Sequence, residues 1–407
     1  MRHRSFALIL LAVAAIGQTL EQRGFIEAKL TAYPQAAPND SSHAVVEALL
    51  RYEATWRPIP WLKLAAGLDG RVDSHNQVNR KFVVDVEDRV SRRPALSLRR
   101  VSATVHRGNV TVEAGRQFIR WGKTDILTPT DRFAPKDFLS VATTDFLSVP
   151  AARLTYDNGT DSIDLVYQVR FTPSRVPLLN QRWTVVPPQA AGVHLEDAAP
   201  RYPGGPSEGI RWNHNAKGYE YAFTFYQGFN HLPSYDASLK LPSTIALTRY
   251  YPDLRQYGGA TAVPVKWFTL KAEAAYYQTS NSKMDEFTLY VVQLERTVKE
   301  WIFVGGYSGE VVRRDSGNPL LFSPDRGLAK VFLGRGSYNW DANTTISLDA
   351  AVRQSGAGSL VHFEFTRAVG QHWRATAGGS WLRGEASDFL GQYRRNSSAS
   401  AGLRYSF

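Results

Sequence analysis

Gly205, Ser207 and Gly209 fit the G-x-S-x-G pattern that sets a nucleophilic serine on a sharp strand-to-helix turn. Pro200, Pro203 and Pro206 surround it, so the segment reads as a loop with no helix to follow, and Ser207 is not expected to be a nucleophile. Asp125, Asp131 and Asp137 recur at six-residue spacing and could gather a hard cation on carboxylate oxygens. Lys123, Arg132 and Lys136 are interleaved with them, which favours a solvated loop of mixed charge. The histidines form no H-x-x-x-H pair, there is no Cys, and no glycine-rich loop cradles a phosphate. No catalytic, cofactor-binding or metal-binding residue is assigned, and the chain is not expected to be an enzyme.

The elements that would hold a site are announced at the two ends. Ala399, Ala401, Leu403, Tyr405 and Phe407 alternate with Ser398, Ser400, Gly402, Arg404 and Ser406. Period-two alternation is a strand with one apolar and one polar face. A final strand that ends on an aromatic resembles the closing strand of a Gram-negative outer-membrane β-barrel, in which the terminal Phe407 would belong to the insertion signal. At the other end, Arg2 and Arg4 precede an apolar run over 6–16 and the small residues Ala14, Ala15 and Gly17. This is the pattern of a secretory signal peptide over 1–17, leaving 18–407 as the mature domain. The run is too short for a helical span of about 20 residues, and no later stretch approaches that length.

Alternating segments recur through the chain at 26–32, 46–56, 62–69, 100–106, 110–118, 152–156, 163–169, 209–214, 219–225, 255–263, 268–276, 285–297, 301–309, 325–338, 346–352, 361–365, 373–381 and 399–407. Connections alternate in length. Short ones fall at 57–61, 107–109, 158–159, 215–217, 265–266, 299–300, 339–341 and 369–371. Those between them are mostly long: 34–43, 72–94, 120–148, 171–208, 229–241, 312–324 and 385–396. Sorting of loop length by parity is the mark of a barrel with short turns on one rim and long loops on the other. The expected fold is all-β: a transmembrane, antiparallel, up-and-down β-barrel of about 18 strands, with 16 as the alternative count. The segment Gly115-Arg116-Gln117-Phe118-Ile119-Arg120-Trp121-Gly122, followed by Pro129, Asp131 and Pro135, is similar to a GRQ-x-x-x-WG stretch of porin-like and alginate-export-type barrels.

Charge is then the chemistry that matters. Loss of the leader removes Arg2 and Arg4 and leaves 46 basic against 37 acidic residues, a charge of +9. Alternation turns ten acids inward (Glu27, Glu47, Glu53, Asp69, Glu113, Asp164, Glu220, Glu273, Asp349, Glu364) and ten bases (Lys29, Arg51, Lys63, Arg100, Arg153, Arg170, Lys271, Arg353, Arg374, Arg404). Opposite charges on neighbouring strands pair, so this set reads as a structural network of the lumen. The basic excess falls in loops, with Arg89, Arg92, Arg93, Arg313 and Arg314 placed to meet lipopolysaccharide phosphates or steer anions. The loop 120–148 is the candidate constriction, through Arg120, Trp121, Lys123, Asp125, Asp131, Arg132, Lys136 and Asp137, with Phe133, Phe138 and Phe146 beside them.

The expected function is a passive outer-membrane pore for small hydrophilic solutes, since barrels of 16–18 strands leave an aqueous channel unless plugged. Two other readings stay open: a specific polysaccharide exporter or importer, favoured by an aromatic ladder, and a sheath for a periplasmic or haem-bearing partner protein, favoured by an uncrowded lumen. Expected partners are outer-membrane lipid, lipopolysaccharide and the barrel assembly machinery. Nucleic acid and cofactors are not expected, and a homo-oligomer or a periplasmic partner is left open.

Overall fold

The computed structural model describes residues 19–185, 193–240, 244–317 and 322–407. The expected signal peptide lies outside them. Eighteen strands form the barrel: β1 Thr19–Ala32, β2 Ala44–Ile59, β3 Leu62–Asp73, β4 Arg93–Arg107, β5 Val110–Gln117, β6 Val149–Asp157, β7 Asp161–Gln168, β8 Ser207–Ala216 and β9 Tyr219–Phe229. The second half continues with β10 Asp253–Pro264, β11 Thr269–Gln278, β12 Glu286–Val298, β13 Trp301–Arg314, β14 Val331–Asp341, β15 Thr344–Arg353, β16 Gly358–Val369, β17 Trp373–Gly384 and β18 Ser398–Ser406. Each pairs antiparallel with its chain neighbours, and β1 closes on β18 from Phe25 opposite Ser406 to Ala32 opposite Ala399.

Alternation builds the wall. Ile26, Leu30, Val46, Leu50, Phe223 and Leu403 face outward and are exposed, as a lipid-facing band requires. Trp61, Trp267, Trp301, Trp340, Trp373 and Tyr405 stand outward beside the short turns and form an aromatic belt at that rim. The last residue joins the ring: Phe407 N–H donates to Gly24 O and Gly24 N–H to Phe407 O, each at 2.9 Å. A Cβ at Gly24 would lie 2.6 Å from the Phe407 ring, so the glycine lets the terminal aromatic lie flat on the wall.

Three features depart from the alternation pattern. The run expected over 325–338 begins with a helical turn, Pro324–Gly327, and becomes strand only at Val331, because Pro, Asp and Gly start a turn more readily than a strand. The loop expected over 229–241 extends to Pro252, and its strands Ser234–Lys240 and Thr244–Tyr250 form a three-stranded sheet with His194–Arg201. In β4 a bulge sets Gly67 opposite Arg100 and Leu68 opposite Leu98, leaving Arg99 as the extra residue. Arg99 and Arg100 therefore both turn inward: Arg99 Nε lies 3.6 Å from Glu53 and Arg100 Nη2 lies 2.8 Å from Glu113.

Deleting Phe407 should slow barrel formation severalfold while leaving the finished barrel resistant to unfolding in detergent until boiled, because two closing hydrogen bonds are lost from a ring of many. The fraction of fast-migrating, unboiled protein against folding time is the measurement. A deletion that folds at the wild-type rate contradicts the role of this contact.

Candidate functional site

The lumen holds charge where a soluble protein would hold its core, and two loops cross it. The first is 118–148. At its root Gly115 adopts φ +120°, and a Cβ there would sit 2.3 Å from Val101 O, so only glycine permits the kink. The kink turns Arg116 and Gln117 into the interior. Arg116 donates to Ser148 Oγ (2.8 Å), Val86 O (2.7 Å) and Asp88, and Gln117 donates to Ala151 O (2.9 Å). The GRQ residues are thus the anchor of the loop.

Farther along, the loop is pinned to the opposite wall by one carboxylate. Glu273, buried on β11, accepts from Lys123 N–H (2.9 Å), Thr124 N–H and Oγ1–H, and Thr130 N–H (2.7 Å) and Oγ1–H (2.8 Å). Hydrogen bonds to a charged group each contribute about 1.5–3 kcal/mol net, so five of them hold this segment well above thermal energy. Asp131 folds the loop on itself, accepting from Trp121 N–H and Gly122 N–H and pairing with Arg120 at 3.3 Å. Tyr277 Oη–H donates to Pro129 O at 2.6 Å.

The eight candidate constriction residues separate into two groups. Trp121, Asp131 and Asp137 are buried, and Arg132 and Lys123 are nearly so, Lys123 against Glu220. Trp121 packs edge-on to Phe133, which meets Tyr226 in the same way, in the apolar cluster that glues loop to wall. Arg132 sits over the Tyr277 ring and 3.3 Å from Asp325. These five are fixings and present little to a solute. Arg120 is half-exposed over the Phe146 ring at 4.1 Å, Lys136 lies over the same ring at 5.5 Å, and Asp125 is partly exposed beside Lys271 at 3.0 Å. Asp125, Asp131 and Asp137 thus have separate partners, and the described residues contain no cluster of metal-ligating side chains. Ser207 opens strand β8, with no strand-to-helix turn.

The second inward segment, 169–185, carries no motif that marks it in the sequence. Phe138 N–H donates to Arg175 O and Arg175 N–H to Lys136 O, joining the two loops by backbone. The buried Arg175 bridges Asp88 and Asp137, and Asp137 also accepts from Arg93 at 2.8 Å. The chain then runs to the far wall, where Arg182 donates to Ser42 O and lies 3.7 Å above the Tyr33 ring, and Trp183 packs on Tyr393. Arg182 and Trp183, adjacent in a loop far longer than a hairpin needs, were the available signal.

Strand charges largely meet partners. Arg51 binds Asp69 (2.7 Å), Arg153 binds Asp164 (2.7 Å), Lys271 binds Glu295 (2.7 Å), Arg353 binds Asp388 (2.5 Å), and Arg404 binds Glu27. Arg170 lies beyond the end of β7 and pairs with Glu87, outside the strand network. Arg93, expected as a loop cation, faces inward to Glu47. Inward bases absent from the parity set include Arg71 and Arg99, which lie with Arg51 around Asp69 and Asp145. A cavity of about 260 Å³ lies between the loop tips (Ser140, Thr143, Arg182, Trp183) and the wall of β1, β16, β17 and β18, lined by Lys29, His362, Glu364, Arg374 and Arg404.

His231 links a third loop to the first two. Its ring stacks on Phe171, Nδ1 lies 2.8 Å from Thr172 O, and Nε2 contacts Arg132 O. Burial, with the Arg132 charge nearby, pushes the imidazole down to about 4.

Two predictions follow from this geometry. Glu273→Ala orphans four donors, since Thr124 Oγ1–H keeps Leu127 O as an acceptor, at about 1–3 kcal/mol for each one left unsatisfied, so loop 118–148 should come away from β11 and single-channel conductance in a planar bilayer should rise. Unchanged conductance in a folded variant would mean that the loop stays in place without Glu273. For His231, a released loop would titrate near the ordinary value of about 6.5, so the freed state takes up a proton first. The junction is at full strength above that value and loosens as pH falls toward 4. Open-channel noise should therefore grow across this window in the wild type and not in His231→Gln.

No family model and no curated protein matches the chain. Among solved structures it is similar over 95% of its length to a BenF-like porin from Pseudomonas fluorescens Pf-5, at 10% identity, 98% coverage of that chain and a TM-score of 0.54. Pseudomonas aeruginosa OccK3 (OpdO) is 10% identical at TM-score 0.52, covering 95% of this chain and 96% of that one. Acinetobacter baumannii OccAB3 is 9% identical at TM-score 0.53, covering 95% and 99%. The likeness is one of fold.

Proposed function

We propose that the chain is an outer-membrane channel through which small hydrophilic solutes diffuse passively. The observation that carries this reading is the polar cavity left between the two inward loops and the wall of β1 and β16 to β18. A wall of outward apolar residues with a rim of Trp and Tyr supports a place in the bilayer, and one structure of similar fold is named a porin. The outer membrane, with lipopolysaccharide around the long loops and assembly by the barrel machinery, belongs to the same reading. In it Arg120, Asp125 and Lys136 are the members of loop 118–148 that meet the solute.

The geometry favours this over the other two functions. Tyr33 and Trp183 are the aromatic residues lining the cavity, and both are buried, Tyr33 under Arg182 and Trp183 against Tyr393, so no aromatic ladder is offered to a sugar chain. Two loops fastened across the lumen leave little room for a protein guest.

Charge balance sets the selectivity. Around β2 to β5, Arg51, Arg71, Arg93, Arg99 and Arg100 face Glu47, Glu53, Asp69, Glu113 and the loop residues Asp137 and Asp145, nearly one for one. In the open cavity the bases lead, since Lys29, Arg93, Arg182, Arg374 and Arg404 line it with Glu27, Glu47 and Glu364. Among the described residues, Lys29 and Arg374 have no carboxylate at ion-pair distance. Fields are screened beyond roughly 8 Å at physiological salt and reach farther as salt falls. Reversal potentials should therefore be small at high salt and drift toward anion preference at low salt, and Lys29→Gln with Arg374→Gln should remove the drift. A strong anion preference persisting in molar salt would contradict the balance, and absence of any conductance from folded barrels would contradict the channel.

A further inference from the structure

On the outer surface, at the end of the barrel that carries the long loops, a groove of about 1100 Å³ lies over β16, β17 and the start of β18. Its floor is low because Gly379 stands between its register partners Phe363 and Ala399 and has no side chain to fill the space. Val361, Phe363 and Trp381 wall it, and the last two are largely exposed. The loop side is lined instead by Arg383, Arg394 and Arg395, all exposed. Arg383 lies 4.4 Å over the Trp381 ring, and Arg394 makes one long hydrogen bond, 3.4 Å, to Gly391 O. Among the described residues none of the three guanidiniums has a carboxylate partner, although nearly every lumenal arginine does.

The groove is therefore apolar at the depth of hydrocarbon and cationic at the height of headgroups. A soluble anion would match the arginines and leave the floor unused; an uncharged lipid would do the reverse. We infer that this groove binds a phosphorylated lipid of the outer leaflet, an acyl chain over Phe363, Gly379 and Ala399 and a phosphate on Arg383, Arg394 and Arg395. Guanidinium binds phosphate through paired N–H donors, which fixes orientation as well as charge. Trp381 holds Arg383 at the boundary between the two halves. The site rests on the membrane placement proposed above, and Phe363, Ala399 and the three arginines are absent from the lining of the lumenal cavity.

Native mass spectrometry of the whole barrel in detergent tests it, with three probes: lipid A, the same acylated disaccharide without phosphates, and inorganic phosphate. The expected result is one lipid A retained per barrel. Arg383→Gln, Arg394→Gln and Arg395→Gln together should weaken retention at least about tenfold, the factor that corresponds to 1.4 kcal/mol. Ala399→Trp, which fills the floor and leaves the arginines in place, should weaken it as well. Conductance of the same preparations should be unchanged, because all four positions face outward. Equal retention by the triple variant, equal retention of the dephosphorylated lipid, or full displacement by inorganic phosphate would each overturn the site. Barrels that conduct and retain no lipid A count against this groove alone, whereas folded barrels that do not conduct count against the channel.

Discussion

A strand edge left open in hydrocarbon exposes a row of unpaired N–H and C=O groups, each costing several kcal/mol, and this is the constraint on which the structure depends. Closure of β1 on β18 removes the edge, and the Gly24–Phe407 pair finishes the seam. Once closed, a barrel of eighteen strands has an interior too wide for side chains to fill. The wall must then be polar inside and apolar outside, and the problem of a core becomes one of what to do with the space.

The chain fills part of that space with two loops, and it fastens them with charge because the inner wall offers little else. Glu273 collects five donors from one loop. Asp137 and Asp88 gather Arg93, Arg116 and Arg175 where the loops meet. Buried ion pairs are costly unless every partner is present, so these contacts contribute a defined geometry more than they contribute stability. The apolar cluster of Trp121, Phe133 and Tyr226 packs under the same fastening and supplies the dry side of it. What the fastening leaves is a polar cavity along β1 and β16 to β18 in which bases outnumber acids, beside the balanced wall of β2 to β5.

The wall was legible from the sequence because a strand with one apolar and one polar face writes itself as period-two alternation. Each of the eighteen expected strands has a counterpart, the weakest being 325–338, where a proline-led turn precedes the strand. The bulge was written in the sequence too: Leu98-Arg99-Arg100-Val101 sets two polar residues between apolar ones, which strict alternation cannot place. The loops were less legible. Length and mixed charge marked 120–148, but residue type does not tell a buried fixing from a solute contact. Asp131 and Asp125 look alike in sequence, and one is sealed by its own loop while the other stands beside Lys271 at the open face. Segment 169–185 carried no local pattern beyond the Arg182-Trp183 pair, since its contacts are made to walls far away in the chain.

The central claim is a water-filled but narrowed passage, and osmotic swelling of proteoliposomes in a graded series of neutral sugars tests it most directly. Monosaccharides should enter readily, with rates falling steeply as sugar size increases and ceasing for long oligosaccharides. No swelling with any sugar in liposomes holding folded barrels would show the loops to be a plug. Swelling that is indifferent to sugar size would show that they do not narrow the lumen at all.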